Sequence, residues 1–235
     1  MNTSLILFAT GAGITVLIGG LLANTFEHHV RETPVKYSVT HFMMAFGAGI
    51  ILAALSLVLV PEGMKVLTII PYLITFIGGS IIFLFIDKSL QSKGGQVAML
   101  LAMLADFIPE SIILGAVFAS ETETAKLLAV IIALQNLPEG FNSFRDLVLS
   151  GFSVKRTIII FSIISFFGIP SALAGHYFLK GNPELTAYLM TFASGGILYL
   201  LTQDIIPESK LKNSHWSALG ACLGFLVGII GEKII

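Results

Sequence analysis

Eight apolar runs, separated by short polar stretches, leave this chain almost no residues from which to build a water-soluble core. A helix needs roughly 20 predominantly apolar residues to cross a bilayer. Runs of that kind fall at about 4–25, 39–60, 66–86, 97–119, 127–148, 157–179, 187–206 and 216–235. Composition agrees, since 11% of the residues are charged against about 25% in soluble domains. We therefore expect an all-α integral membrane protein with eight transmembrane helices, one bundle over residues 1–235, joined by short loops. A net charge of −1 excludes the basic face that nucleic acid requires. The single Cys222, inside the last run, offers neither a disulfide framework nor a thiolate metal site.

The first run carries no Lys or Arg before it, and Ala23-Asn24-Thr25 is a poor cleavage site, so it reads as a retained span rather than a signal peptide. Alternate connections then set orientation. Those after spans one, three, five and seven hold Arg31, Lys36, Lys88, Lys93, Arg145, Lys155, Arg156, Lys210 and Lys212; the other side holds Lys65, Lys126, Lys180 and Lys233. The excess of basic residues marks the cytoplasmic face, which places both termini outside the cytoplasm.

An internal repeat orders these spans. Ala45-Phe-Gly-Ala-Gly-Ile-Ile-Leu52 in the second run leads to Pro61-Glu62, and Thr191-Phe-Ala-Ser-Gly-Gly-Ile-Leu198 in the seventh leads, at the same offset, to Pro207-Glu208. Spans two and seven are five apart, an odd number, so the copies cross in opposite directions. This is the pattern of an inverted repeat, here a 3+2+3 arrangement in which about 1–96 and 151–235 flank central helices at 97–150. The substrate site of such a fold lies near the midplane.

The two central runs carry matching polar devices, Asp106-Phe-Ile-Pro-Glu110 and Gln135-Asn-Leu-Pro-Glu139. Each sets a polar residue and a carboxylate four positions apart, on one helical face beside a proline. An acid at mid-membrane is costly and marks function. Asp106, Glu110 and Glu139 with Gln135 and Asn136 offer carboxylate and amide oxygens, a hard donor set suited to a divalent cation. Pro109 and Pro138 free the carbonyls of Ala105 and Leu134 to turn toward an ion or water. His28-His29 reads as a solvated pair, and Glu62 as an outer interfacial residue.

The Leu-Pro-Glu-Gly and Ile-Pro-Glu-Ser strings in adjacent central spans, between two helices ending in Pro-Glu, resemble the Zrt/Irt-like (ZIP) divalent-metal transporters. The resemblance covers nearly the whole chain. It implies eight spans, both termini outside, a 3+2+3 inverted repeat and a homodimer, with a binuclear metal site on the fourth and fifth spans. The fourth-span ligand positions correspond to Asp106, Phe107 and Glu110, and the fifth-span positions to Gln135, Asn136 and Glu139. The seventh-span His-Glu pair corresponds to Gln203-Asp204, and a sixth-span Glu to Ile169, before Pro170. No family histidine remains at these places, so the site becomes richer in oxygen, and the usual His-rich loop shrinks to residues 91–96.

The function these readings favour is secondary transport of a divalent cation of the zinc, iron or manganese class toward the cytoplasm, across the plasma or inner membrane. The metal is cargo, and no further cofactor is expected. The competing reading is a relative that binds or senses a cation without moving it. An intramembrane enzyme fails on content, since there is no His-Glu-x-x-His and no paired nucleophile and base.

Overall fold

The computed structural model describes residues 2–30, 33–93, 95–120, 122–211 and 215–234, and every regular element among them is helical. We number the long helices α1 (Asn2–His29), α2 (Pro34–Val66), α3 (Ile69–Lys93), α4 (Gly95–Ser120), α5 (Thr122–Leu149), α6 (Val154–Leu179), α7 (Pro183–Ser209) and α8 (Trp216–Ile234). Each overlaps one of the apolar runs, although the third helix begins at Ile69, three residues after the start of its run. The helices start where local chemistry satisfies their free N–H groups. Thr33 accepts from the amide of Lys36 ahead of Pro34, Ser153 from that of Arg156, and Asn182 from that of Leu185 ahead of Pro183. Gly151 and Gly181 supply the positive φ of the turns before α6 and α7.

Among the described residues, α1, α2, α3, α6, α7 and α8 are long and apolar enough to cross a membrane. The chain is an integral membrane protein. Helices α4 and α5 are the ones that carry the polar motifs, and α5 in addition bears Glu123, Lys126, Arg145 and Asp146. Apolar side chains cover the outside, most plainly on α3, where Ile70, Ile74, Ile77, Ile81 and Phe85 are exposed. That surface would be untenable in water and is ordinary in lipid.

Packing divides the helices into two groups. Helix α1 lies on α5 and α6, and α4 lies on α6 and α5; in the second group α2 lies on α8, and α3 on α7. The groups meet chiefly where α2 packs on α5 and α4 on α7. Backbone approach is close enough in each to require glycine. A Cβ at Gly49 of α2 would fall on the Ala221 carbonyl oxygen of α8, and one at Gly195 of α7 on the Phe76 carbonyl oxygen of α3. The same pairing recurs between Gly19 and Leu137 (α1 on α5) and between Gly175 and Ile112 (α6 on α4). Small residues let helices approach where lipid supplies no hydrophobic drive between them.

The repeat copies also share a backbone irregularity that the sequence reading did not foresee. Helix α2 passes through a π segment at Leu55–Leu59, just before Pro61, and α7 through one at Leu201–Ile205, just before Pro207. In each case the proline removes an amide N–H near the widened turn. Such π turns are rare and cluster at functional sites.

Several of the charges counted as cytoplasmic sit on helices rather than in loops, Lys88 and Lys93 on α3 and Lys155 and Arg156 on α6 among them. Lys36 of α2 and Arg145 of α5 are both paired with one carboxylate, Glu27 of α1. Arg31 and Lys212 lie outside the described residues.

Candidate functional site

A cavity of about 470 Å³ opens among α2, α3, α4, α5 and α7. Its wall on α5 is a polar stripe: Gln135, Glu139, Asn142, Ser143, Asp146 and Ser150. Spacings of three and four put these residues on one helical face. Pro138 belongs to the same wall, facing Gly47 of α2, where a Cβ would meet the proline ring. Opposite stand Asp204 and Glu208 of α7, together with Asp87 and Gln91 of α3. Five carboxylates thus line the space, and among the described residues no Lys, Arg or His lines it.

The deep end is held by a buried pair. Gln135 is 2% exposed and Glu110, on α4, is 7% exposed. The Gln135 amide nitrogen donates to a Glu110 carboxylate oxygen at 2.5 Å. This leaves the Gln135 carbonyl oxygen buried without a hydrogen-bond partner, and about two turns along the stripe the Asn142 carbonyl oxygen is in the same condition. A buried acceptor with no donor costs about 1–3 kcal/mol. A cation passing along the cavity could be met by each in turn.

On the α3 side, Asp87 is positioned by two donors, the Gln91 amide at 2.9 Å and the Tyr199 hydroxyl of α7 at 3.0 Å. These bonds bring a carboxylate that is 8% exposed to the cavity wall in a fixed orientation.

The residues expected from sequence are distributed as follows. Gln135 and Glu139 line the cavity, and Glu110 stands behind Gln135 rather than in the wall. Asn136 turns to α1, where its amide donates to the Ala12 carbonyl at 2.8 Å. The structure brings it to a helix contact and not to the cavity. Asp204 lines the space, whereas Gln203 is exposed on the other side of the π segment. The side chain of Asp106 lies outside the described residues. Among the described residues no three His, Cys, Asp or Glu side chains gather into a metal cage; the carboxylates are strung along the wall. Sequence reasoning missed Asp87, Asn142 and Asp146. The stripe from Gln135 to Ser150 was readable from its helical spacing, but the approach of Asp87 depends on α3 meeting α7.

His28 and His29 are exposed, and His29 bonds to the Thr25 carbonyl. Neighbouring Glu27 is occupied by Lys36 and Arg145, while Glu32 lies outside the described residues.

A family model described as "ZIP Zinc transporter" matches residues 89–231. The chain belongs to the ZIP family. The match takes in α4, α5 and most of the acidic cavity wall. Among similar proteins is the zinc transporter ZIP13 of Pongo abelii, 24% identical over 220 residues, which are 92% of this chain and 64% of that protein. The zinc transporter zipt-7.1 of Caenorhabditis briggsae is 28% identical over 133 residues, 52% of this chain and 33% of its own. The zinc transporter YKE4 of Saccharomyces cerevisiae is 19% identical over 211 residues, 71% and 60% of the two chains. This ZIP chain therefore spans between a third and two thirds of the length of these relatives. The family is one of transporters rather than enzymes.

Proposed function

We propose that this protein is a secondary transporter that carries a divalent metal cation toward the cytoplasm through the acidic cavity. The observation that carries the reading is the lining itself, five carboxylates and, among the described residues, no basic side chain, with the unpartnered Gln135 carbonyl in the same wall. Such a cleft concentrates cations and repels anions. The zinc-transporter names of the relatives support the same class of cargo. In this reading all eight helices span the bilayer with both termini outside. The paired glycine contacts and π segments support the inverted repeat, and the cavity opens to the cytoplasm, in the plasma or inner membrane. A homodimer follows from family likeness.

The ion would move along Gln135, Glu139, Asn142 and Asp146, with Glu110 behind Gln135; Asp106, whose side chain lies outside the described residues, stays a ligand candidate on its sequence position alone. Carboxylate and amide oxygens form a hard donor set, which suits Mn²⁺ and Fe²⁺ alongside Zn²⁺. Metal binding displaces protons from carboxylates, so uptake should fall as pH is lowered.

The test is uptake into liposomes loaded with a metal-sensitive dye. Glu110→Gln and Glu139→Gln remove charge without changing volume, and each should reduce uptake by about a hundredfold, an effect of the size seen when a buried charged partner is lost. Full uptake by the double variant would refute the pathway. Binding without any wild-type uptake would favour the sensing reading.

A further inference from the structure

An acidic cavity works for a cation only if the protein's own basic side chains stay out of it, and here one stands beside the wall. Arg145 immediately precedes Asp146, whose side chain lines the cavity, and the two lie within electrostatic reach. A guanidinium turned toward Asp146 could neutralise it and reach toward Glu208, which interacts with Asp146 from α7. The structure shows Arg145 held elsewhere. Its Nε donates to one oxygen of Glu27 at 2.6 Å, while the other oxygen accepts from Lys36 Nζ at 2.5 Å. Lys36 is 2% exposed and lies over the Phe26 ring. Glu27 thus takes two cations, one on each oxygen, and both helices that supply them, α2 and α5, also line the cavity.

We infer that Glu27 is a positioning residue for cation passage: by holding Arg145 against α1 it keeps the mouth of the cavity free of positive charge. The inference rests on the transport reading and extends it to a residue that never touches the ion. A purely mechanical strut joining α1, α2 and α5 would have a different signature, because a strut fails whichever member is removed. Sequestration fails only when the carboxylate is removed and the arginine remains.

The measurement is initial uptake of Mn²⁺ against its concentration, in liposomes, for wild type, Glu27→Gln, Glu27→Asp, Arg145→Gln and the Glu27→Gln, Arg145→Gln double variant. Glu27→Gln should raise KM about tenfold, the low end of electrostatic focusing effects, with a smaller change in kcat. Glu27→Asp should stay near wild type. Arg145→Gln alone should leave KM unchanged or lower it, and the double variant should return KM to within about twofold of wild type, since the intruding charge is gone. A KM raised as much by Arg145→Gln as by Glu27→Gln, or a double variant no better than Glu27→Gln, would overturn the inference in favour of the strut. Equilibrium binding of Mn²⁺ to the purified proteins should follow the same order. If wild type imports no cation the transport reading fails on its own, and these binding constants still decide whether Glu27 keeps Arg145 off the cavity.

Discussion

The two π segments are the same backbone device put to opposite uses. In α2 the segment Leu55–Leu59 is followed by Pro61 and Glu62; in α7 Leu201–Ile205 is followed by Pro207 and Glu208. Position by position, Val58 of the first copy answers Asp204 of the second, and Glu62 answers Glu208. Val58 is 1% exposed, packed in a core cluster with Leu55, Leu59 and residues of α1 and α4 such as Leu5 and Phe118. Asp204 lines the acidic cavity. Glu62 is paired with Lys65 one turn along, whereas Glu208 meets the like charges of Asp146 and Asp204. The first segment is surrounded by apolar side chains and its acid is paired with a lysine. The second borders the acidic cavity, and its acids meet other acids. The backbone irregularity therefore recurs at matching sequence positions, while the side chains around it differ in polarity.

Exchanging the two characters should break the comparison most severely at the apolar segment. Val58→Asp places a carboxylate among apolar neighbours with no cation near it, and an uncompensated buried charge costs about 3–5 kcal/mol. We expect a large fall in the yield of monodisperse protein and in its thermal midpoint in detergent. A Val58→Asp protein as stable as wild type would mean that the first copy is as open as the second.

The reciprocal change acts on transport instead of folding. Asp204→Val makes the second copy resemble the first and removes one of five carboxylates from the cavity. The expected result is an uptake loss of about tenfold at low cation concentration, with the melting temperature held or raised, because the repulsion from Asp87 is relieved. Unchanged uptake would show that the ion leaves by another route.

How far the sequence carries an observer along this molecule depends on the kind of order involved. An apolar run coincides with much of each long helix, and six of the described helices are long and apolar enough to cross a membrane. Their ends run further than the runs themselves, to His29 in α1 and Lys93 in α3, since polar residues continue a helix once it leaves hydrocarbon. Gln135 and Glu139 were legible through the matched Pro-Glu strings. Asn136 was not separable from Gln135 by chemistry, and only the position of α1, with its Ala12 carbonyl, decides that it faces away. Asp87 and Asp204 are far apart in the chain, and their approach depends on α3 packing on α7. The π segments were illegible because no residue type announces them; a proline two positions downstream of each is the nearest signal.

The finest division between the ends concerns the paired glutamates, where the same substitution should have different consequences. Glu208→Gln removes a charge from the cavity mouth, so uptake at low cation concentration should fall about threefold, while saturation at high concentration restores most of the rate, the signature of lost local enrichment. Stability should not suffer, because Glu208 meets the like charges of Asp146 and Asp204 and, among the described residues, forms no salt bridge. Glu62→Gln removes a charge that Lys65 already answers. Exposed pairs of this type contribute about 0–1 kcal/mol, so we expect uptake within about twofold of wild type and a small decrease in stability. Measured side by side in the same liposomes, the two variants should differ in KM and in the sign of the stability change. Equal KM effects would place both acids on the ion's path and would require the α2 end to be open as well, contrary to the apolar packing of Leu55, Val58 and Leu59.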